Sequence, residues 1–199
     1  MKLKKIHAQF ILGLLGTCLA LPALSAVSIP YGWYLGGNAG WSKIDNKSYP
    51  GSNNYTGVGG SVNLGYKFNP FVALEVDGTK YANVVTQVAS ITVARDSHYS
   101  YGVLGKVMCP FGASGASLFG KAGISRLQSN LKVTNQAVAT QYGVTFNSGV
   151  HYATGLYLAA GGEYSFTPNL LANIELASAQ GNSNTGNAEL LTAGLAYLF

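Results

Sequence analysis

The sequence predicts an all-β chain: an eight-stranded antiparallel up-and-down transmembrane β-barrel. Three observations predict it. Charged residues make up only 10% of the 199 residues, where a soluble domain carries about 25%, and the chain holds 26 glycines and 13 tyrosines. Beyond the N-terminal region no apolar run reaches the about 20 residues that a membrane helix needs. Eight segments instead alternate with period two, and the aromatics on one face gather at both strand ends.

The chain opens with a secretory signal. Lys2, Lys4 and Lys5 form a positive start, Phe10 to Leu21 an apolar stretch, and Ala23-Leu24-Ser25-Ala26 a small-residue cleavage region. Residues 1–26 are therefore expected to be removed, leaving 27–199 as one barrel domain. Three lysines leave with the signal, so nine bases face seven acids and the mature chain carries +2. The basic balance gives no argument for nucleic acid as a partner. Cys18 leaves too, and Cys109 is left without a disulfide partner. No zinc spacing and no phosphate-binding loop is present, so no metal and no cofactor is expected.

The strands are expected near 33–42, 57–68, 71–81, 97–109, 117–127, 151–166, 170–179 and 188–199. Their connections alternate in length. Asn69-Pro70, Pro110 to Ala116 and Thr167-Pro168-Asn169 are short, whereas 43–56, 82–96 and 128–150 are long and 180–187 is intermediate. Short periplasmic turns and longer extracellular loops give this rhythm. Parity then sorts the faces. Trp33, Leu35, Trp41, Val62, Leu64, Val76, Val103, Ile124, Leu156, Ile174 and Leu195 fall on one face, which carries no charge before the rims and is assigned to lipid. Closure is required, because an open sheet leaves edge N–H and C=O groups unpaired in hydrocarbon. On that face Trp33, Tyr66, Phe68, Tyr164, Phe166, Tyr197 and Phe199 mark the periplasmic ends. Trp41, Tyr99, Tyr101 and Tyr152 mark the extracellular ends.

The opposite face collects the charges. Lys67, Glu75, Asp77, Lys106, Lys121, Glu163 and Glu175 all point inward by parity. Five of them, Glu75, Lys106, Lys121, Glu163 and Glu175, lie at similar height above the periplasmic turns and form an expected ion-pair layer. Inside a narrow barrel these groups must pair, as a structural plug or as a gate whose pairs exchange partners.

These features resemble the small eight-stranded outer-membrane barrels, the OmpA-like transmembrane domain and the OmpX-like surface proteins. The resemblance rests on Gly32-Trp33-Tyr34-Leu35-Gly36-Gly37-Asn38-Ala39-Gly40-Trp41, on Ala73-Leu74-Glu75-Val76, on Gly120-Lys121-Ala122-Gly123 and on Tyr197-Leu198-Phe199. It implies an integral protein of the Gram-negative outer membrane with a charged lumen network. Tyr197 and Phe199 look like the terminal assembly signal that the barrel-assembly machinery reads in that family. Cell-wall tethering is not carried over, since the chain stops where OmpA-like proteins often continue into a peptidoglycan-binding domain.

Function is then expected outside the barrel. Eight strands leave room only for side chains or one small ligand, which disfavours a general solute pore. The expected role is structural or surface-interacting, adhesin-like, carried by loops 43–56, 82–96, 128–150 and 180–187 toward an extracellular or host ligand. Val84 to Val93 and Val133 to Phe146 are candidates to extend hairpins beyond the membrane. The alternative is a narrow channel for small or hydrophobic solutes. Lys43, Lys80 and Arg126 share outward parity at the extracellular strand ends and are candidate phosphate contacts to lipopolysaccharide. Catalysis is not expected. His98-Tyr99-Ser100 resembles the His-x-Ser pair of lipid A deacylases, but Tyr101 stands where that family has Asn, and both residues face the lumen.

Overall fold

The computed structural model describes residues 31–45, 52–88, 90–111, 114–143 and 148–199. The expected signal, 1–26, lies outside them. Ten strands are described: β1 Gly32–Asp45, β2 Ser52–Asn54, β3 Thr56–Lys67, β4 Val72–Lys80, β5 Val84–Val88, β6 Ile91–Pro110, β7 Ala116–Val133, β8 Gly149–Ser165, β9 Leu170–Ala179 and β10 Asn187–Leu198. One short helix, α1 Gln136–Gln141, follows β7. Eight strands form the wall in the order β1-β3-β4-β6-β7-β8-β9-β10, each antiparallel to its neighbours. The wall closes where β1 meets β10, from Tyr34 opposite Leu198 to Asp45 opposite Asn187. Every wall strand thus has two partners, which removes the unpaired edge that hydrocarbon cannot satisfy.

Alternation sets the faces as parity predicts. Along β4 the side chains switch strictly between exposed and buried from Val72 to Lys80. Trp33, Leu35, Trp41, Val76, Ile124 and Ile174 face outward, and Trp41 is 73% exposed. At the periplasmic end, rings pack edge to face on the outer wall: Trp33 on Tyr66 at 5.2 Å, Tyr66 on Phe68 at 5.1 Å and Tyr164 on Phe166 at 5.1 Å. The short turns are held by side chains that replace strand bonds. Asn69 accepts from the N–H groups of Phe71 and Val72, both at 2.8 Å. Thr167 accepts from Leu170 N at 3.0 Å, and Asn169 Nδ2 donates to Leu198 O at 2.8 Å, tying the last strand to the turn.

The extracellular side departs from the expectation. β6 begins at Ile91 and β7 runs to Val133, so the two strands stay paired up to Ala94 opposite Val133. The segment Val84 to Val93 does form a hairpin, with β5 on β6 and a tight turn through Ser90 at φ 64°. β2 adds to the free side of β5. Of the segment 133–146, residues 144–146 lie outside the described residues, and the described part leaves the β6–β7 ladder after Val133. It turns into α1, whose start is capped by Asn135 accepting from Val138 N at 3.2 Å.

Buried apolar side chains gather at two levels inside the wall. An apolar cluster that includes Ile44, Tyr81, Leu104, Leu127, Tyr157 and Leu190 occupies its extracellular half. A second, with Tyr34, Met108, Phe119, Leu171 and Leu198, occupies the periplasmic end.

Candidate functional site

Three polar groupings stand out on this frame: an ion-pair layer inside, a buried polar group under the extracellular flap, and a charged outer rim.

The ion-pair layer lies between the two apolar clusters. The β6–β7 register sets Lys106 directly opposite Lys121, a like-charge pair that repels unless an acid bridges it. Glu75 of β4 is that acid. Its Oε2 lies 2.6 Å from Lys121 Nζ and its Oε1 3.7 Å from Lys106 Nζ. Tyr34 Oη donates to the same Oε1 at 2.5 Å. Lys106 also meets Glu163 Oε2 at 2.6 Å, and Lys121 meets Glu175 Oε2 at 2.7 Å. Glu163 Oε1 accepts from Ser117 Oγ at 2.9 Å and lies 4.0 Å from Lys67 Nζ. Six of the seven predicted lumen residues therefore join one chain: Lys67, Glu163, Lys106, Glu75, Lys121, Glu175. The shortest pairs skip a strand, because each lysine is opposed on the neighbouring strand by another lysine and finds its acid one strand further on. The three shortest thus tie β4 to β7, β6 to β8 and β7 to β9, while Glu75–Lys106 joins the neighbours β4 and β6 and Lys67–Glu163 joins β3 to β8.

Asp77, the seventh, points inward and is buried, but among the described residues it forms no ion pair. Its Oδ1 accepts from Thr79 Oγ1 at 2.7 Å. Phe119 floors the layer, with Lys106 Nζ 4.4 Å and Lys121 Nζ 5.3 Å from its ring centroid. The sequence reading placed the charges and missed the tyrosines. Tyr34, and Tyr157 at 3.4 Å from Glu175, share their inward parity, which was the available signal.

The buried polar group is Asp96, His98 and Ser129, each 0% exposed. Ser129 Oγ lies 2.8 Å from both carboxylate oxygens of Asp96, and His98 Nε2 lies 3.6 Å from Oδ2. Serine and histidine thus converge on the acid, whereas nucleophile activation sets the serine on the imidazole. Ser100 instead shares a 3.0 Å hydrogen bond with Tyr81 Oη. Asp96 escaped the sequence reading, although it stands two residues before His98 with the same parity.

The rim divides the predicted trio. Lys43 Nζ lies 3.0 Å from Asp45, and the β1–β10 register sets Lys43 opposite Glu189. Lys80 sits 5.6 Å over the Tyr99 ring, and the Arg126 guanidinium 4.5 Å over Tyr152. Lys43 therefore lies beside two acids on β1 and β10, away from the other two cations. Tyr197 and Phe199 face outward at the periplasmic rim with centroids 5.4 Å apart, and Phe199 N donates to Trp33 O at 2.9 Å.

A family profile for the outer membrane protein β-barrel domain matches residues 11–199. No protein of curated function matches the sequence. Among solved structures, neisserial surface protein A aligns with TM-score 0.61 at 18% identity over 84% of this chain and 97% of its own. The attachment invasion locus protein Ail of Yersinia pestis aligns with TM-score 0.55 at 14% identity over 85% of this chain and 100% of its own. The N-terminal barrel of Pseudomonas aeruginosa OprF aligns with TM-score 0.52 at 16% identity, over 85% and 100%. At such identities the likeness concerns the fold, and it agrees with the closed eight-stranded wall, the two aromatic belts and the family profile. The chain belongs to the outer membrane protein β-barrel family and is an integral protein of the Gram-negative outer membrane.

Proposed function

We propose that this barrel is a closed scaffold and that the protein acts as an adhesin-like surface-interaction protein through its extracellular connections 43–56, 82–96, 128–150 and 180–187. The observation that supports this reading is the pair of apolar clusters inside the wall. A conducting small barrel needs a continuous polar path, and here apolar clusters lie on both sides of a paired charge layer. The extracellular side carries the added structure: β2, β5, the extended ends of β6 and β7, and α1. Binding residues on such a braced platform hold their geometry better than residues on a free loop. Ail, which shares the fold, has been solved in complex with the heparin analogue sucrose octasulfate. That makes sulfated glycans the natural first ligand to try on this chain. The barrel-assembly machinery is the proposed partner during insertion, with Tyr197 and Phe199 as the signal, and no enzymatic step is assigned.

One observation favours the second reading, a narrow channel for small or hydrophobic solutes. Lys106 lies within 3.7 Å of Glu75 and 2.6 Å of Glu163, so it has two acids between which to exchange. Single-channel conductance of the refolded protein in a planar bilayer, with Lys106→Ala alongside, separates the two. A closed native barrel is expected. Stable native openings that change with Lys106→Ala would reject the scaffold reading and make the charge layer a gate.

A further inference from the structure

We propose that the outer wall over β4, β6 and β7 is a docking track for a phosphorylated glycolipid of the outer leaflet, lipopolysaccharide, held at two heights. Lys80 and Arg126 take phosphates at the lipid–sugar junction. Arg95 and Lys132 take phosphates on the glycan above.

The charge map carries the argument. The chain has seven acids, and all are described: Glu75, Asp77, Glu163 and Glu175 in the lumen, Asp96 buried, and Asp45 and Glu189 on β1 and β10. None lies on the outer face of β4, β6 or β7. That face holds four cations, Lys80, Arg95, Arg126 and Lys132, all with exposed side chains. Among the described residues none of the four forms an ion pair.

The upper pair is the telling one. The register sets Arg95 directly opposite Lys132 on the outside of the β6–β7 ladder. Like charges directly opposite destabilise a sheet. The lumen contains the same arrangement, Lys106 opposite Lys121, and there Glu75 bridges the two lysines. Outside, the protein supplies no counterpart to Glu75, and an external anion completes the pattern.

The lower pair sits where a headgroup phosphate lies. Lys80 and Arg126 are seated on Tyr99 and Tyr152, rings of the extracellular belt. An aromatic seat fixes a cation without neutralising it, and leaves guanidinium N–H groups free for phosphate. Arg126 pairs in register with Tyr101, six residues along β6 from Arg95, or about 20 Å along the strand. With a tilt of about 45° the two tiers differ in height by about 15 Å. Directly below Arg126 the wall is lipid-facing and shallow, with Val103 opposite Ile124 and Gly105 opposite Ala122. One continuous face therefore offers an apolar wall, a cation tier at the interface and a second cation tier above it. A membrane-anchored phosphorylated glycolipid matches all three levels, whereas a free polyanion uses only the upper tier.

The test titrates the full-length mature barrel, refolded in zwitterionic detergent, with phosphorylated rough lipopolysaccharide, the same material after enzymatic dephosphorylation, and heparin. Heat-dependent gel mobility checks folding of each variant. Arg95→Gln/Lys132→Gln and Lys80→Gln/Arg126→Gln should each weaken binding of the phosphorylated form about tenfold or more. Lys43→Gln should leave it unchanged, and dephosphorylated material should bind all variants equally weakly. Arg95→Glu places an acid opposite Lys132, so it should keep the fold and still lose binding. Unchanged binding in Arg95→Gln/Lys132→Gln or in Arg95→Glu overturns the two-tier track. So does heparin binding that depends on the upper pair while lipopolysaccharide binding depends on neither pair, an outcome that assigns the patch to a free polyanion.

Discussion

Glu75→Gln isolates the contribution of the lumen bridge. The ion-pair layer with neighbouring Asp77 holds Lys67, Lys106 and Lys121 against Glu75, Asp77, Glu163 and Glu175, one acid in excess, while Asp96 is buried apart from it beside His98 and Ser129. Either Glu75→Gln or Asp77→Asn removes one negative charge from this buried set. The contacts differ. Glu75 bridges two directly opposed lysines and accepts from Tyr34, whereas Asp77 makes a hydrogen bond to Thr79 that an amide oxygen can also accept. Removing one partner of a buried ion pair costs about 3–5 kcal/mol. Glu163 and Glu175 still hold Lys106 and Lys121, and Gln can still accept from Tyr34, so Glu75→Gln is expected near the lower end, about 3 kcal/mol. Asp77→Asn is expected to cost less than about 1 kcal/mol or to stabilise, since an unpaired buried charge is lost. Equilibrium urea unfolding in lipid vesicles, followed through Trp33 and Trp41, reads both values. Equal effects of the two substitutions would refute the bridge and leave net interior charge as the governing quantity.

Three further outcomes follow from the geometry. Tyr34→Phe removes the hydrogen bond to Glu75 and should cost about 2 kcal/mol in the same unfolding assay, as for bonds to charged groups. Gly65→Ala should cost more, because the added Cβ meets the Tyr34 ring and Tyr34 cannot yield without leaving Glu75. At the terminus, Phe199→Ala should lower the amount of protein reaching the outer membrane several-fold in cell fractionation. Stability of the refolded barrel should change by only about 1 kcal/mol, the scale of one aromatic pair. A stability loss large enough to account for the missing protein would argue against an assembly role.

The wall was legible in the sequence because membrane burial enforces period two. Lipid excludes charge from one face, so Glu75, Lys121 and Glu175 could be sent inward from position alone. The extracellular ends were not legible. Ser97, Asn130, Gln128 and Ser129 carry no apolar alternation, so β6 and β7 looked shorter than their pairing makes them. Part of the apolar lumen was hidden for a related reason. Leu104 points inward between Val103 and Gly105, and parity distinguishes faces only when their chemistry differs; Ile44 and Leu127 stand between polar or charged neighbours, in stretches that read as strand ends or loops. Lys43 illustrates a third limit. Its outward parity and its partner Asp45, two residues on, were readable, but the second acid, Glu189, stands opposite only once β10 closes on β1, a pairing between the two ends of the chain.

The placement of charge bears on what the barrel is for. A lumen built for passage keeps its polar groups along a path from end to end. Here the charges are concentrated in one layer, where pairs that skip a strand brace non-adjacent parts of the wall, and Phe119 and Leu104 occupy the apolar clusters on either side. The cost of burying those ions is offset by bridging and hydrogen bonds inside the layer, which supports the proposed reading of the layer as a structural brace. On the outer wall the opposite holds: Arg95 and Lys132 oppose each other with no acid to relieve them. Charge compensated within the protein serves closure, and charge left uncompensated at a surface is available to a partner. In this chain the first lies in the lumen and the second on the extracellular wall, which supports the proposed reading of a working surface outside the barrel.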